Sequence, residues 1–353
     1  MDIHEIVAKA RKIRIINNTY DMVRLVRDSR HTFKKFGVKG SKQLFERIKE
    51  AHQRYGWYPD EYFLYHYDDL TDEQRQLVIG DREHSIIAEA MNDRKAAKLL
   101  SDKWETYCLY KPYFQRVAIL VRGGYSQFQE LLKQKTRLIL KPIDGTFGKG
   151  IQIVKAESME HGLIRKLRRD YPEGFIAEEV IEQDPRVAKL HPESVNTMRV
   201  ITICYNNEVE VLRAFIRIGR GKSVVDNASS SGFLTACDQK TGEILTVMDK
   251  KAGHVYTTHP DTGCQLVGFR VPRWEEALDL ARKLALQQDG IHYAGWDLAL
   301  TEDGWVMVEG NPRAQMGFQV SEQRGVRDDL MNILQRFNVT EPDVRFKPGR
   351  KTF

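Results

Sequence analysis

The hydrophobic period of this chain changes partway along. Residues 1–50 carry Ile, Val, Leu and Phe at helical spacing, pause near Gly37 to Ser41, and then predict another helix. Helical patterns continue from about Thr71 to Ser101. Beyond them β-branched runs take over: 115–121 and 137–141 read as strands, and 175–181 and 197–218 more strongly so. Asn206-Asn207 predicts a tight turn between two such runs, and a second hairpin over roughly 232–248 turns at Lys240-Thr241-Gly242. An amphipathic helix at about 273–288 leads into a last hairpin at 295–311. A helical N-terminal region followed by antiparallel hairpins predicts an α+β protein. The aromatic run 55–67 suits either a ring-bearing substrate or the underside of a small helical lobe, and the lobe is the expectation here.

Composition sharpens this only in places. The 353 residues suffice for a large core in one to three domains. Bilayer-length apolar runs and a signal-peptide pattern are both missing, and Cys108, Cys204, Cys237 and Cys264 show no CxxC spacing. The expectation is therefore a cytoplasmic chain with reduced thiols. Residues 1–50 hold 13 Lys/Arg against 6 Asp/Glu, whereas the whole chain is +6. That basic region is expected to be a solvated helical face, with peripheral membrane contact as the alternative; no motif supports nucleic-acid binding.

Candidate chemistry concentrates in two segments. In Gly295–Asn311, Glu302-Asp303-Gly304 fits a three-residue loop with Gly304 left-handed. Thr301 then faces Trp305, Asp297 falls opposite Glu309, and Asn311 shares their face, while Leu298, Leu300, Val306 and Val308 take the other. Two carboxylates and an amide oxygen, without Cys or His, suit a hard cation such as Mg2+. The second segment, Leu138–Val154, places Gly145, Gly148 and Gly150 around Thr146, Phe147 and Lys149. Its GxxGxG order precedes a strand, so neither a Walker A loop nor a dinucleotide fingerprint fits. A glycine-rich hairpin that lies over phosphates does, with Lys141 on the incoming strand and Lys149 in the loop as cations.

These pieces in this order resemble the ATP-grasp superfamily over about residues 95–335. Leu190-His191-Pro192-Glu193-Ser194-Val195-Asn196-Thr197-Met198-Arg199, Asp226-Asn227 and His259-Pro260-Asp261-Thr262-Gly263 resemble its sugar-transfer-associated family, whose members are associated with bacterial surface-polysaccharide biosynthesis. The resemblance implies an ATP-grasp fold, two α+β subdomains gripping ATP between antiparallel sheets. The expected domains are a basic helical region 1–95, an ATP-grasp domain 96–340 (flap subdomain about 115–180, metal and acceptor subdomain about 181–340), and a loose basic tail 341–353. It further implies that Lys103 and Lys141 bind nucleotide, that the backbone near Glu179, Val180 and Ile181 meets adenine, and that Glu182 takes the ribose. Asp297, Glu309 and Asn311 match the family's magnesium ligands, which would hold two ions.

Many ligases of the superfamily carry an arginine two residues before the first metal Asp. Here that residue is Gly295. Arg199, Arg213 and Arg217, in strands that otherwise read as core, become candidates for stabilising the transferred phosphoryl group. Asp226-Asn227 and Ser229-Ser230-Ser231-Gly232 resemble a loop facing the acceptor, and His259 is a candidate substrate contact or base. The implied reaction is ATP-dependent joining of a carboxylate to an amine through an acyl phosphate, on small molecules that include sugar-linked ones. A kinase acting on a sugar or metabolite hydroxyl shares the same nucleotide site, and a non-catalytic nucleotide-binding scaffold is the third reading.

Overall fold

The computed structural model describes residues 22–143, 150–158, 162–224, 226, 232–249 and 253–339, which form two compact units. The first takes in residues up to Ala90 and those from Gln315 onward. Its helices are 22–35, Lys42–Tyr55, Pro59–Leu64, Asp72–Leu77, Asp81–Met91, Phe318–Glu322 and Arg327–Arg336. The pause read at Gly37 to Ser41 is a helix boundary: Gly37 has φ +65° and the Ser41 hydroxyl caps Leu44 N–H at 3.1 Å. Trp57 is fully buried, with Tyr55, Tyr65 and Tyr67 rings 5.4–5.7 Å from it, so the aromatic run is the core of this helical unit. Buried Gln319 accepts from Ile79 N and Val326 N at 3.1 Å and donates to Ile79 O, sewing the C-terminal segment to the N-terminal one. Arg327 adds a two-pronged pair to Glu83 at 2.6 and 2.7 Å.

In the second unit, mainly residues 91–314, the described residues form ten strands in two antiparallel sheets. β1 (Ala118–Val121), β2 (Arg137–Pro142), β3 (Gln152–Lys155) and β4 (Phe175–Glu179) lie in the order β1-β4-β2-β3. Alternation sends Leu138, Leu140, Phe175 and Ala177 into a core with Phe128, Leu132 and Leu167 from two helices, and leaves Lys141 and Glu178 on the opposite face. β5 (Met198–Tyr205), β6 (Glu208–Ile218), β7 (Phe233–Cys237), β8 (Ile244–Asp249), β9 (Tyr293–Thr301) and β10 (Gly304–Asn311) lie in the order β10-β9-β5-β6-β7-β8. The β5–β6 turn at Asn206-Asn207 takes φ +53° and +62°, the left-handed pair that a two-residue hairpin demands. The amphipathic helix is Trp274–Ala285, packed on this sheet. None of the described helices is long and apolar enough to cross a membrane.

The last hairpin departs from expectation in a way that cancels. Thr301 pairs with Gly304, not Trp305, so the loop is the two residues Glu302-Asp303, with Gly304 at φ +139°. A β-bulge between Met307 and Glu309 then supplies the missing step, and Asp297 still faces Glu309.

Glu61, in the helical unit, is buried and accepts from Tyr58 N at 2.7 Å and Asp81 N at 2.8 Å, at the starts of two helices. Loss of water, then the nearby Asp81 charge, outweigh those donors and push its carboxyl up from 4.5 to about 8. Between those values the folded chain binds a proton that the unfolded chain has lost, so stability falls as pH rises from 4.5 to about 8. Urea midpoints at about pH 5 and about pH 8 are expected to show this loss in the wild type and a flatter response in Glu61→Gln. Parallel losses in the two proteins would mean that Glu61 is ionised in the fold.

Candidate active site on the large sheet

Three neighbouring strands meet at Asp297. In the register of β9, β5 and β6, Arg199 lies directly opposite Asp297 and is itself flanked by Phe215, one alternation from Arg217. Both arginines turn onto the carboxylate. Arg199 donates through Nε to Oδ1 and through Nη2 to Oδ2 at 2.8 Å, and Arg217 Nη2 donates to Oδ2 at 2.7 Å. Asp297 is 1% exposed. Such burial by itself would keep the carboxyl protonated, but the two guanidiniums overcome it and bring the group to about 2. Arg217 also donates to the Thr197 hydroxyl at 2.6 Å and lies 3.4 Å from buried Asp226, which in turn accepts from Thr197 N at 2.7 Å. Burial pushes the Asp226 carboxyl up, opposed by Arg217. Arg213, on the same strand face, does not join this group; it is half-buried further along β6 and donates to Leu212 O at 2.9 Å.

Glu309 faces Asp297 and is reached by water, although protein surrounds it closely. Desolvation and the Asp297 charge raise its carboxyl above the usual range. Asn311 is half-buried, and its amide oxygen accepts from Arg313 N at 2.9 Å. The end of this hairpin is fixed by buried Asn92, which donates to Tyr293 O and Pro312 O and accepts from His292 N and Tyr293 N, all at 2.8–2.9 Å. Among the described residues no three His, Cys, Asp or Glu side chains cluster as a metal site. The all-oxygen chemistry of Asp297, Glu309 and Asn311 fits a hard divalent cation.

Gly295 explains how Arg199 gets there. A Cβ at position 295 would sit 2.2 Å from the Ala314 Cβ and 2.9 Å from Arg199 Cδ. The arginine stem thus occupies the space that a side chain at 295 would fill.

The small sheet presents a second ionic cluster. Glu178, 4% exposed, accepts from Arg116 Nε and Nη2 at 3.0 and 2.8 Å and from Lys141 Nζ at 2.9 Å. Burial opposes its charge, yet Lys141 and Arg116 hold it below the usual carboxylate range. β4 is an interior strand, flanked by β1 and β2. Arg116 Nη1 also donates to Met307 O at 2.6 Å, at the bulge of the last hairpin. Lys103 Nζ lies 3.4 Å from Pro142 O, next to the end of β2. Glu179 is partly buried, accepting from Val117 N at 2.5 Å and pairing with Lys135 at 2.6 Å; Val180 and Ile181 follow where β4 ends. The Glu182 side chain is 85% exposed, 3.5 Å from Arg137. Gly145, Thr146, Phe147, Gly148 and Lys149 lie outside the described residues; Gly150 is described, with φ +74° and its carbonyl accepting from Tyr171 OH at 2.6 Å.

His259 calls for a correction. It is 1% exposed; Nδ1 accepts from Asp261 N and Thr262 N at 3.2 and 3.3 Å, which leaves Nε2 to donate to Gly219 O at 2.9 Å. Burial lowers its proton affinity further. With both nitrogens engaged by backbone, it is a buried neutral brace and not a base. Sequence reasoning missed Arg116 and Asn92 altogether, because neither belongs to a spacing pattern.

The tight space at position 295 yields a prediction. Gly295→Ala is expected to lower stability by about 1–3 kcal/mol, the usual cost of overpacking, in urea denaturation. Adding Ala314→Gly should recover most of it; an unchanged midpoint in the single variant would show that the Ala314 segment yields freely.

No curated protein matches the sequence. Among solved structures, the ATP-grasp ligase PsnB complexed with a phosphomimetic variant of its minimal precursor, Mg and ADP is 13% identical, with TM-score 0.44 over 70% of this chain and 62% of its own. N5-carboxyaminoimidazole ribonucleotide synthetase in its ADP complex is 14% identical, with TM-score 0.40 over 62% of this chain and 46% of its own. D-alanine–D-alanine ligase from Bacillus anthracis is 14% identical, with TM-score 0.41 over 70% of each chain. The chain thus spans less than two thirds of the length of the first two. The decisive match is to the sequence model of the sugar-transfer-associated ATP-grasp family, which aligns with residues 82–335 and so takes in both ionic clusters and both histidine motifs: the chain belongs to that family.

Proposed function

We propose that this protein is an ATP-dependent carboxylate–amine ligase that forms an amide through an acyl phosphate, in the synthesis of cell-surface polysaccharide or a related metabolite. One observation carries the reading: a buried, ionised Asp297 lies opposite Glu309, with two arginines converging on it where Gly295 leaves room. Asp297, Glu309 and Asn311 would hold Mg2+ (two ions in this reading), which when bound offsets phosphate charge. Lys103, Lys141 and the glycine-rich segment 144–150 hold the nucleotide, with Glu178 and Arg116 fixing Lys141. Glu179, Val180 and Ile181 border the adenine position, and Glu182 is the ribose candidate.

A carboxylate oxygen of the acid attacks the γ-phosphorus, the bond to the β–γ bridging oxygen breaks, and ADP leaves. Arg199 and Arg217 face the charge that develops on the transferred group, and their pairing with Asp297 orients them beforehand. The amine nitrogen then attacks the acyl carbon, phosphate departs, and the nitrogen gives up a proton. The reading is cytoplasmic, where ATP is supplied and the four free cysteines stay reduced.

Phosphate release from Mg-ATP is expected to require an acid and an amine together, screened as pairs of amino acids and uronic-acid sugars. Asp297→Asn and Glu309→Gln should lower it by at least about a hundredfold, the scale for losing one preorganised charged group at a reaction centre. A phosphorylated product without free phosphate would make the protein a kinase and sink the ligase reading. Wild-type turnover in both variants would overturn the metal assignment.

A further inference from the structure

His191 and His259 play no part in the reaction above, yet the fold spends buried polar groups on the motifs around them. They converge on Gly219-Arg220-Gly221, just past β6. His259 donates to the carbonyl of Gly219, and His191 Nε2 lies 2.9 Å from the carbonyl of Gly221. Gly219 N donates to Asn196 Oδ1 at 3.2 Å, and Gly221 N donates to Asp261 Oδ2 at 2.6 Å. The two imidazoles stack, 5.4 Å between centroids and 27° from parallel. A Cβ at Gly219 would sit 2.0 Å from Ser194 Oγ. The His259–Asp261 motif thus grips both peptide groups flanking Arg220, and His191 and Asn196 grip the next peptide on either side.

What this grip presents is one arginine. Its guanidinium lies 5.4 Å from the ring centroids of Phe233 and Tyr256. Among the described residues its hydrogen bond goes to Tyr256 OH, at 3.3 Å. The Asp249 carboxylate pairs with it at 3.9 Å and also accepts from Tyr256 OH at 2.9 Å. The side chain keeps 33% of its surface in water. A guanidinium braced from behind by rings and peptides, and still open in front, offers a planar fork to a planar anion. It lies three positions beyond Arg217, so at most roughly 10 Å of chain separates it from the Asp297 cluster.

Resting on the ligase reading, we propose that Arg220 binds the carboxylate of the acid substrate and that the two histidine motifs are the clamp which aims it. An amino acid and a uronic acid carry the same group, so L-glutamate and D-glucuronate serve as probes. Binding of each is measured by calorimetry on the full chain with Mg2+ and a non-hydrolysable ATP analogue present. The wild type is expected to bind one of them, and Arg220→Ala to weaken it by about tenfold or more, the scale of a lost charge-assisted hydrogen bond. Arg220→Lys, which keeps the charge but not the fork, should fall between, and affinity for the nucleotide analogue should hold. Arg270→Ala, an exposed arginine paired with Glu243, is the charge-matched control. If Arg220→Ala does not fold, Arg220→Lys and Arg220→Gln give the same comparison. Binding of neither acid by the wild type, or undiminished binding by the Arg220 variants, overturns the assignment. Phosphate release upon adding amines judges the ligase reading separately: acid binding without release removes that reading alone, and release with unaltered acid binding in Arg220→Ala removes the Arg220 assignment alone.

Discussion

The candidate site depends on keeping one carboxylate charged where there is almost no water. An isolated ionised Asp297 in that position would carry a prohibitive desolvation cost, and it would take up a proton instead. Two guanidiniums prevent this, and because they come from β5 and β6, the charge also ties three adjacent strands together at one point. The neighbouring choices follow. Gly295 has to be bare so that the stem of Arg199 can cross it, Thr197 has to supply a hydroxyl to Arg217, and Asp226 is placed where it balances the same arginine. Glu309 is the odd member: desolvation and the facing Asp297 charge outweigh the two arginines, and it holds its proton more tightly.

Much of this was legible in the residues, and the reason is periodicity. Hairpin alternation put Asp297, Glu309 and Asn311 together before any coordinates, and Asn206-Asn207 could only be a turn. Even so, the turn at Glu302-Asp303 was read one residue too long. Asp297 met Glu309 regardless, because an unforeseen bulge at Val308 made up the step. Bulges answer to long-range partners, here Arg116 on the Met307 carbonyl, and a local pattern carries no trace of those. The same limit hid Asn92, whose four hydrogen bonds reach residues some two hundred positions away in sequence, and it left Arg217 looking like a close companion of Arg213.

His259 shows a different limit. A histidine beside Asp and Thr is chemically plausible as a base, and its sequence neighbourhood looks no different when the ring is locked. Only the backbone donors and acceptor around it decide, and they assign it to bracing the Gly219-Arg220-Gly221 segment. A motif with catalytic-looking residues can thus be architecture one step removed from chemistry.

Arg116 has a mechanical meaning beyond its charge. It sits just ahead of β1, at one border of the small sheet, and joins Glu178 of that sheet to the Met307 carbonyl of the large one. Parting the two sheets there would break several short hydrogen bonds to a buried guanidinium at once. The small sheet is therefore pinned to the large one along its β1 border, while β3 forms the opposite border.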